Sequence, residues 1–159
     1  AESNSKIQIE LAAAELKKLG IEGVEYTASS SNEVQQVVES MMGKVDAIYT
    51  PTDNTIASAM TVIASIANEH KVPTVCGEVA HVEAGGLASL SINYEELGRR
   101  AGEMAVRILT EGAEPAAMPI ESMGAAECDL VYNGRTAEAL GIDVTSLVED
   151  GATDVSAAE

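Results

Sequence analysis

Apolar positions recur along this chain in two alternating rhythms. Ile9, Ala12, Ala13, Leu16 and Leu19 fall three and four apart, the spacing of one helical face, until Gly20 ends the run. Ser5 with Gln8 reads as a capping box opening that helix. A short strand is predicted over residues 24–28. Ser30 with Glu33 forms a second capping box, Val34, Val37, Val38, Met41 and Met42 follow on one face, and Gly43 suits a left-handed C-cap. Residues 45–50 read as a buried strand leading into Pro51-Thr52-Asp53-Asn54, then a nearly all-apolar helix from Thr55 to about Glu69. Pro73 introduces a strand over 74–76. Beyond Gly77-Glu78, a short helical turn reaches Gly85-Gly86 and 87–92 reads as a strand. Leu97, Ala101, Met104, Ala105 and Ile108 mark a helix ending at Gly112. After Pro115 the pattern weakens: strands near 119–122 and 130–132, a helix over 134–140, and a small acidic tail over 150–159 that reads as frayed.

Strands alternating with helices of this length predict an α/β fold, an open and mostly parallel sheet with helices on both faces. Right-handed crossovers gather the strand ends at one edge, and ligands of such sheets bind outside that edge. The pattern places residues 1–5, 29–32, 51–54, 77–78 and 93–94 there.

Composition narrows the function classes. With 159 residues, 46% hydrophobic and 22% charged, the chain has the make-up of one globular domain. Its aromatic residues are Tyr26, Tyr49, Tyr94 and Tyr132 alone, so the core is aliphatic. A net charge of −17, from 26 acidic and 9 basic residues, argues against nucleic acid as a partner, because phosphate neutralisation needs clustered Lys and Arg. Cys76 and Cys128 are too few for a disulfide framework or a metal-ligand cluster, and the sequence leaves open whether they pair. No apolar run approaches the ~18 residues of a membrane span. No cofactor or metal is implied.

The strand-end loops carry the candidate chemistry. Ser3, Asn4, Ser5 and Thr52 stand where helices open, and free N–H groups there hold a carboxylate without Lys or Arg. Asp53 and Glu78 at the same edge suit an ammonium group, so the set fits a zwitterion. Each residue alone also reads as a cap or a solvated acid. Catalytic readings are poorer. Cys76 at a strand end reads as a packing residue, His70 as a helix-end residue, and His81 supplies the other imidazole. Asp53-Asn54 after a strand is shared with phospho-acceptor receiver domains, but the late lysine those need is absent. No nucleotide-binding or zinc-protease motif occurs.

The run from Asp46 through Tyr49-Thr50-Pro51-Thr52-Asp53-Asn54-Thr55 to Ala59 resembles the central motif of one family of ABC-importer substrate-binding proteins, whose members handle tryptophan, tyrosine or phenylalanine. The likeness continues through Val72-Pro73-Thr74-Val75, Gly77-Glu78, Gly86-Leu87-Ala88-Ser89-Leu90-Ser91-Ile92, Tyr94-Glu95-Glu96-Leu97-Gly98 and Gly102-Glu103-Met104-Ala105, to Tyr132-Asn133 and Leu140-Gly141-Ile142. It implies a type I periplasmic-binding fold, of which this chain resembles the second lobe: residues 1–149 as one ligand-binding lobe and 150–159 as a tail, without the first lobe or the strand that precedes residues 1–5 in the family. It further implies an extracytoplasmic, lipid-anchored or periplasmic protein that is not an enzyme. Such a protein encloses a small solute, an amino acid, and presents it to a membrane permease. At the cleft the resemblance places Ser3, Asn4, Ser5, Thr52, Asp53, Asn54 and Glu78. A sheet lacking an inner strand invites strand exchange or a homodimer. The rival readings are the effector domain of a sugar-responsive transcriptional regulator and a small α/β enzyme.

Overall fold

The computed structural model describes residues 3–156, with side chains from Ser5 onward. Its helices are α1 (Ser3–Lys18), α2 (Ser31–Met41), α3 (Asn54–Glu69), α4 (Val79–Glu83), α5 (Tyr94–Glu111), α6 (Gly134–Leu140) and α7 (Thr145–Glu149). Its strands are β1 (Ile48–Thr50), β2 (Thr74–Cys76), β3 (Ala88–Ser91), β4 (Asp129–Tyr132) and β5 (Thr153–Asp154). They form one five-stranded sheet in the order β1-β2-β3-β4-β5, parallel except for the antiparallel β3–β4 pair. The fold is the α/β, mostly parallel architecture that the alternation predicts.

Register explains where the core sits. Thr50, Cys76, Ser89 and Val131 stand side by side across four strands and are all buried. Because side chains alternate along a strand, the neighbouring row of Tyr49, Val75 and Ala88 points to the other face. There Tyr49 and Val75 are exposed, as is Leu90 beyond them. On the core face, Val34 and Val38 of α2, Met60, Ile63 and Ala67 of α3, and Val82 of α4 pack with Ile48, Cys76 and Val131. Alanines 59, 64 and 67 let α3 sit close to its neighbours.

Several expectations are corrected. Residues 24–28 form no strand: β1 is hydrogen-bonded to β2 alone, and no described strand lies where 24–28 would pair. β-propensity without a ladder to join is insufficient. Residues 119–122 are likewise irregular, flanked by 3₁₀ turns at Pro115–Ala117 and Ala125–Glu127, and Ile120 is almost wholly exposed. Pro119 has no N–H to give a ladder. The frayed tail is overturned in part. β5 lies beside β4, Val155 N donates to Tyr132 O at 2.9 Å, and Asp154 Oδ1 accepts from the N–H groups of Gly134 and Ser156 at 3.0 and 2.9 Å. Ser30 stands at the α2 N-cap without a side-chain cap bond, while Glu33 folds back to accept from Ser29 N at 3.0 Å. Cys76 and Cys128 are both free thiols.

Helix α5 buries no residue. Ion pairs tie it to the chain that follows: Arg100 to Glu127, and Arg107 to Glu121 at 2.7 Å. At its start Glu96 accepts from Arg99 and Arg100, and these bonds hold its carboxyl down to about 2. Such exposed pairs contribute little to stability.

The one-sided core predicts a sharp contrast between two truncations. Ile63→Ala, at a position 1% exposed, is expected to cost about 2–5 kcal/mol in urea unfolding. Leu109→Ala, at a position 83% exposed, is expected to stay within about 0.5 kcal/mol of the parent.

Candidate functional site

The carboxyl ends of β1 and β2 come together through backbone contacts that only glycine permits. Gly77 N donates to Thr50 O at 2.8 Å, and Thr52 Oγ1 donates to Gly77 O at 3.3 Å. A Cβ on Gly77 would stand 2.8 Å from Thr52 N and 3.0 Å from the Pro51 carbonyl carbon. The two loops can therefore lie against each other only because residue 77 has no side chain.

Asp53 organises this junction. It is 3% exposed and caps α3: Oδ1 accepts from Thr55 N at 2.8 Å and from Ile56 N at 3.2 Å. Its other oxygen, Oδ2, accepts from the hydroxyl of Ser5 at 2.9 Å. Ser5 is buried in the first turn of α1, so it is not the N-cap that the capping-box spacing implies. Gln8, the other half of that box, turns instead to Thr52, accepting from its N–H at 2.9 Å. Both residues of the supposed local motif thus serve long-range contacts that fasten α1 to the β1–α3 loop.

Glu78 occupies the corresponding position after β2. It stands at the N-cap of α4 but makes no side-chain cap bond, and its side chain is 18% exposed. Beneath it lies His81, 1% exposed, with Nε2 at 2.9 Å from Glu78 Oε1 and Nδ1 at 3.2 Å from Thr50 Oγ1. The Nε2 contact has ion-pair distance without hydrogen-bond alignment, so the proximity is real and the bond incomplete. Burial pushes the His81 imidazole below its usual value, while the carboxylates of Glu78 and Asp53 pull the other way. Burial also raises the Cys76 thiol, which disfavours the thiolate a nucleophile needs.

Of the sequence-derived site residues, Ser5, Thr52, Asp53 and Glu78 meet at one edge. Asn54 opens α3 there and is exposed. The side chains of Ser3 and Asn4 lie outside the described residues, although both belong to the first turn of α1. Neither α1 nor α3 has an acidic residue in its first turn. Gln8 and His81 are the residues that sequence reasoning did not place in the site. The spacing of Glu78 and His81, three apart where a helix opens, is the signal that could have linked them. Among the described residues no cluster of His, Cys, Asp and Glu could hold a metal. A separate depression of about 740 Å³ is lined by Arg99, Gly102, Glu103, Val106, Arg107 and Glu121, none of them from the strand ends.

A polar edge of helix openings and carboxylates lies at the carboxyl ends of the parallel strands, the edge at which ligands of α/β sheets bind. The chain belongs to the ABC transporter substrate binding protein family, matching it over residues 1–156. It is 39% identical over 146 residues to a tyrosine-binding protein of Clostridioides difficile (strain R20291), spanning 92% of this chain and 41% of that one. Solved structures are similar as well. A ligand-free, open substrate-binding protein with adhesive properties from Clostridium difficile has 38% identity and a TM-score of 0.75, over 97% of this chain and 51% of that chain. An ABC domain from Streptococcus pneumoniae in complex with L-Trp has 37% identity and a TM-score of 0.84, over 95% and 51%. The chain thus spans about half the length of the proteins it matches. No helix among the described residues is long and apolar enough to cross a membrane.

Two outcomes follow from the geometry. Asp53→Ala removes a cap and leaves Ser5 without this acceptor, and is expected to lower stability by about 1–3 kcal/mol in denaturant titration. His81, neutral when buried, binds a proton more readily in the unfolded chain. Its contribution is therefore complete above the ordinary value of 6.5 and is lost as pH falls below it. Unfolding midpoints of the parent should drop on acidification from pH ~6.5, with a visibly smaller drop for His81→Gln.

Proposed function

We propose that this chain is a solute-gripping lobe of an amino-acid-binding protein serving an ABC importer, and that it catalyses nothing. The observation that carries the reading is the pairing of the first turn of α1, which holds no acidic residue, with a half-buried carboxylate, Glu78, at one sheet edge. An α-amino acid presents the matching pair of charges. The first turn of α1, with Ser3, Asn4 and Ser5, receives the carboxylate, where N–H groups and the helix dipole favour negative charge. Glu78 receives the ammonium group. Thr52 and Asn54 form the lip between them. Asp53, whose two oxygens serve α3 and Ser5, is assigned to holding this frame in place.

In this reading the ligand is closed between this lobe and a second one, and the closed form is recognised by a membrane permease on the extracytoplasmic side. The names of the relatives point to an aromatic amino acid such as tyrosine or tryptophan. Family membership favours this over the effector domain of a sugar-responsive regulator and over a small enzyme. Self-association belongs to the same reading, because β1 is an edge strand among the described residues and Tyr49, Val75 and Leu90 are exposed on the second face.

The test is isothermal titration calorimetry on the product of the complete reading frame, with L-tyrosine, L-tryptophan and D-glucose. The expected result is saturable binding of an aromatic amino acid with Kd near ~1 µM or tighter, and no response to glucose. Glu78→Gln should weaken that binding by about tenfold or more, as loss of a charge-assisted contact implies. Binding of the sugar alone, or an unaltered Kd in Glu78→Gln, would overturn the assignment.

A further inference from the structure

His81 is the most deeply buried ionisable side chain at the strand-end edge, and nothing in the capture scheme above uses it directly. Its surroundings favour one tautomer. A carboxylate can only accept, so the nitrogen 2.9 Å from Glu78 Oε1, Nε2, is the one placed to carry the proton of the neutral ring. In the neutral ring Nδ1 is then an acceptor, and the Thr50 hydroxyl at 3.2 Å donates to it. The neutral ring suffices for both contacts, which accords with complete burial. The groups facing it are Thr50 from β1 and the carboxylates of Asp53 and Glu78. The backbone that carries the ring is closely packed: a Cβ on Gly86 would stand 2.9 Å from the His81 carbonyl oxygen and 2.4 Å from Cys76 Sγ, so this turn has no slack.

We propose that His81 is a positioning residue for amine recognition: Thr50 orients the imidazole, and its Nε2–H steers the Glu78 carboxylate toward the ammonium group of the ligand. The inference rests on the reading of Glu78 as the amine contact. The Nε2–H is a buried donor whose bond is incomplete in this state, and a small rotation of Glu78 on meeting a cation would align it. The arrangement repeats the logic of outer-shell partners that orient a ligand-binding group.

Two measurements test it on the product of the complete reading frame. The first needs no ligand: ¹⁵N shifts of the His81 ring are expected to show protonated Nε2 and unprotonated Nδ1 near pH 7.5. The opposite tautomer would overturn the proposal, whatever the protein binds. The second compares L-tyrosine with 3-(4-hydroxyphenyl)propionate, and L-tryptophan with 3-indolepropionate, each analogue lacking only the amine. His81→Leu is expected to lose about tenfold for the amino acids and little for the desamino analogues, while His81→Gln, which keeps a donor, stays close to the parent. Thr50→Val supplies the same selective loss, to a smaller degree, should His81→Leu fail to fold. Equal weakening of both members of a pair would make His81 merely structural and sink the proposal. Failure of the parent to bind any of the four, with the expected tautomer present, would count against the capture reading and leave the His81–Glu78 geometry standing.

Discussion

The buried carboxylate of Asp53 is the contact on which this edge of the molecule depends. Nearly inaccessible, it is tolerable only because both oxygens are occupied, one by two N–H groups at the opening of α3 and the other by the hydroxyl of Ser5. Those bonds join three stretches of chain distant in sequence: the first turn of α1, the end of β1 and the start of α3. Gln8 adds a second fastening one turn later, at Thr52 N. Gly77 then allows the β2 loop to lie flat against the same segment, and the position of Glu78 follows from that approach. Loosening Asp53 would therefore displace α1 and the β2 loop together.

Two acids at one edge have been given different work by their surroundings. Asp53 sits where helix N–H groups neutralise it, so its charge is spent inside the fold. Glu78 is also at a helix opening, but its side chain does not cap the helix; it lies between buried His81 and solvent. In the proposed reading an acid in that position faces the ammonium group of the ligand. The strongly negative surface, at −17 overall, makes the complementary point about the other end of an amino acid. In the proposed reading an anionic ligand group finds few cations here, and the first turn of α1, which has no acidic residue, is what the chain offers for holding it.

Much of this was legible in the sequence, and the exceptions have physical causes. The helices α2 and α5 carry both an apolar stripe and a glycine stop, Gly43 and Gly112, and they occur where pattern puts them, as do α3 and α6. β2 is announced by Pro73 and bounded by Gly77. Residues 24–28 have strand-like composition, but a strand exists only with a neighbour, which is a property of the sheet and not of the segment. β5 fails the opposite test: Thr153 and Asp154 have little strand character, yet β4 offers a ladder and Asp154 locks onto Gly134 N. Ser5 and Gln8 show how a local motif misleads. Their spacing fits a capping box, whereas their partners, Asp53 and Thr52, are more than forty residues away. His81 was visible as an imidazole, but its relation to Thr50 needs the register of the sheet.

The contacts at this edge also bear on selectivity. In the proposed reading the opening of α1 and Glu78 address a carboxylate and an ammonium group, which every α-amino acid has in the same relation. In that reading they orient a ligand and disfavour molecules lacking either charge, but they do not read a side chain. Reading an aromatic ring calls for an apolar or stacking surface. Near these loops the chain has Tyr94, exposed at the start of α5, and no other aromatic residue among positions 51–54, 77–78 and 93–94. In that reading the lobe sets which class of solute is accepted and in which direction it points. The choice among amino acids then rests on whatever surface meets the side chain once the polar end is fixed. Changes to Glu78 or His81 would accordingly shift affinity across all amino acids together, while changes at Tyr94 would alter their order of preference.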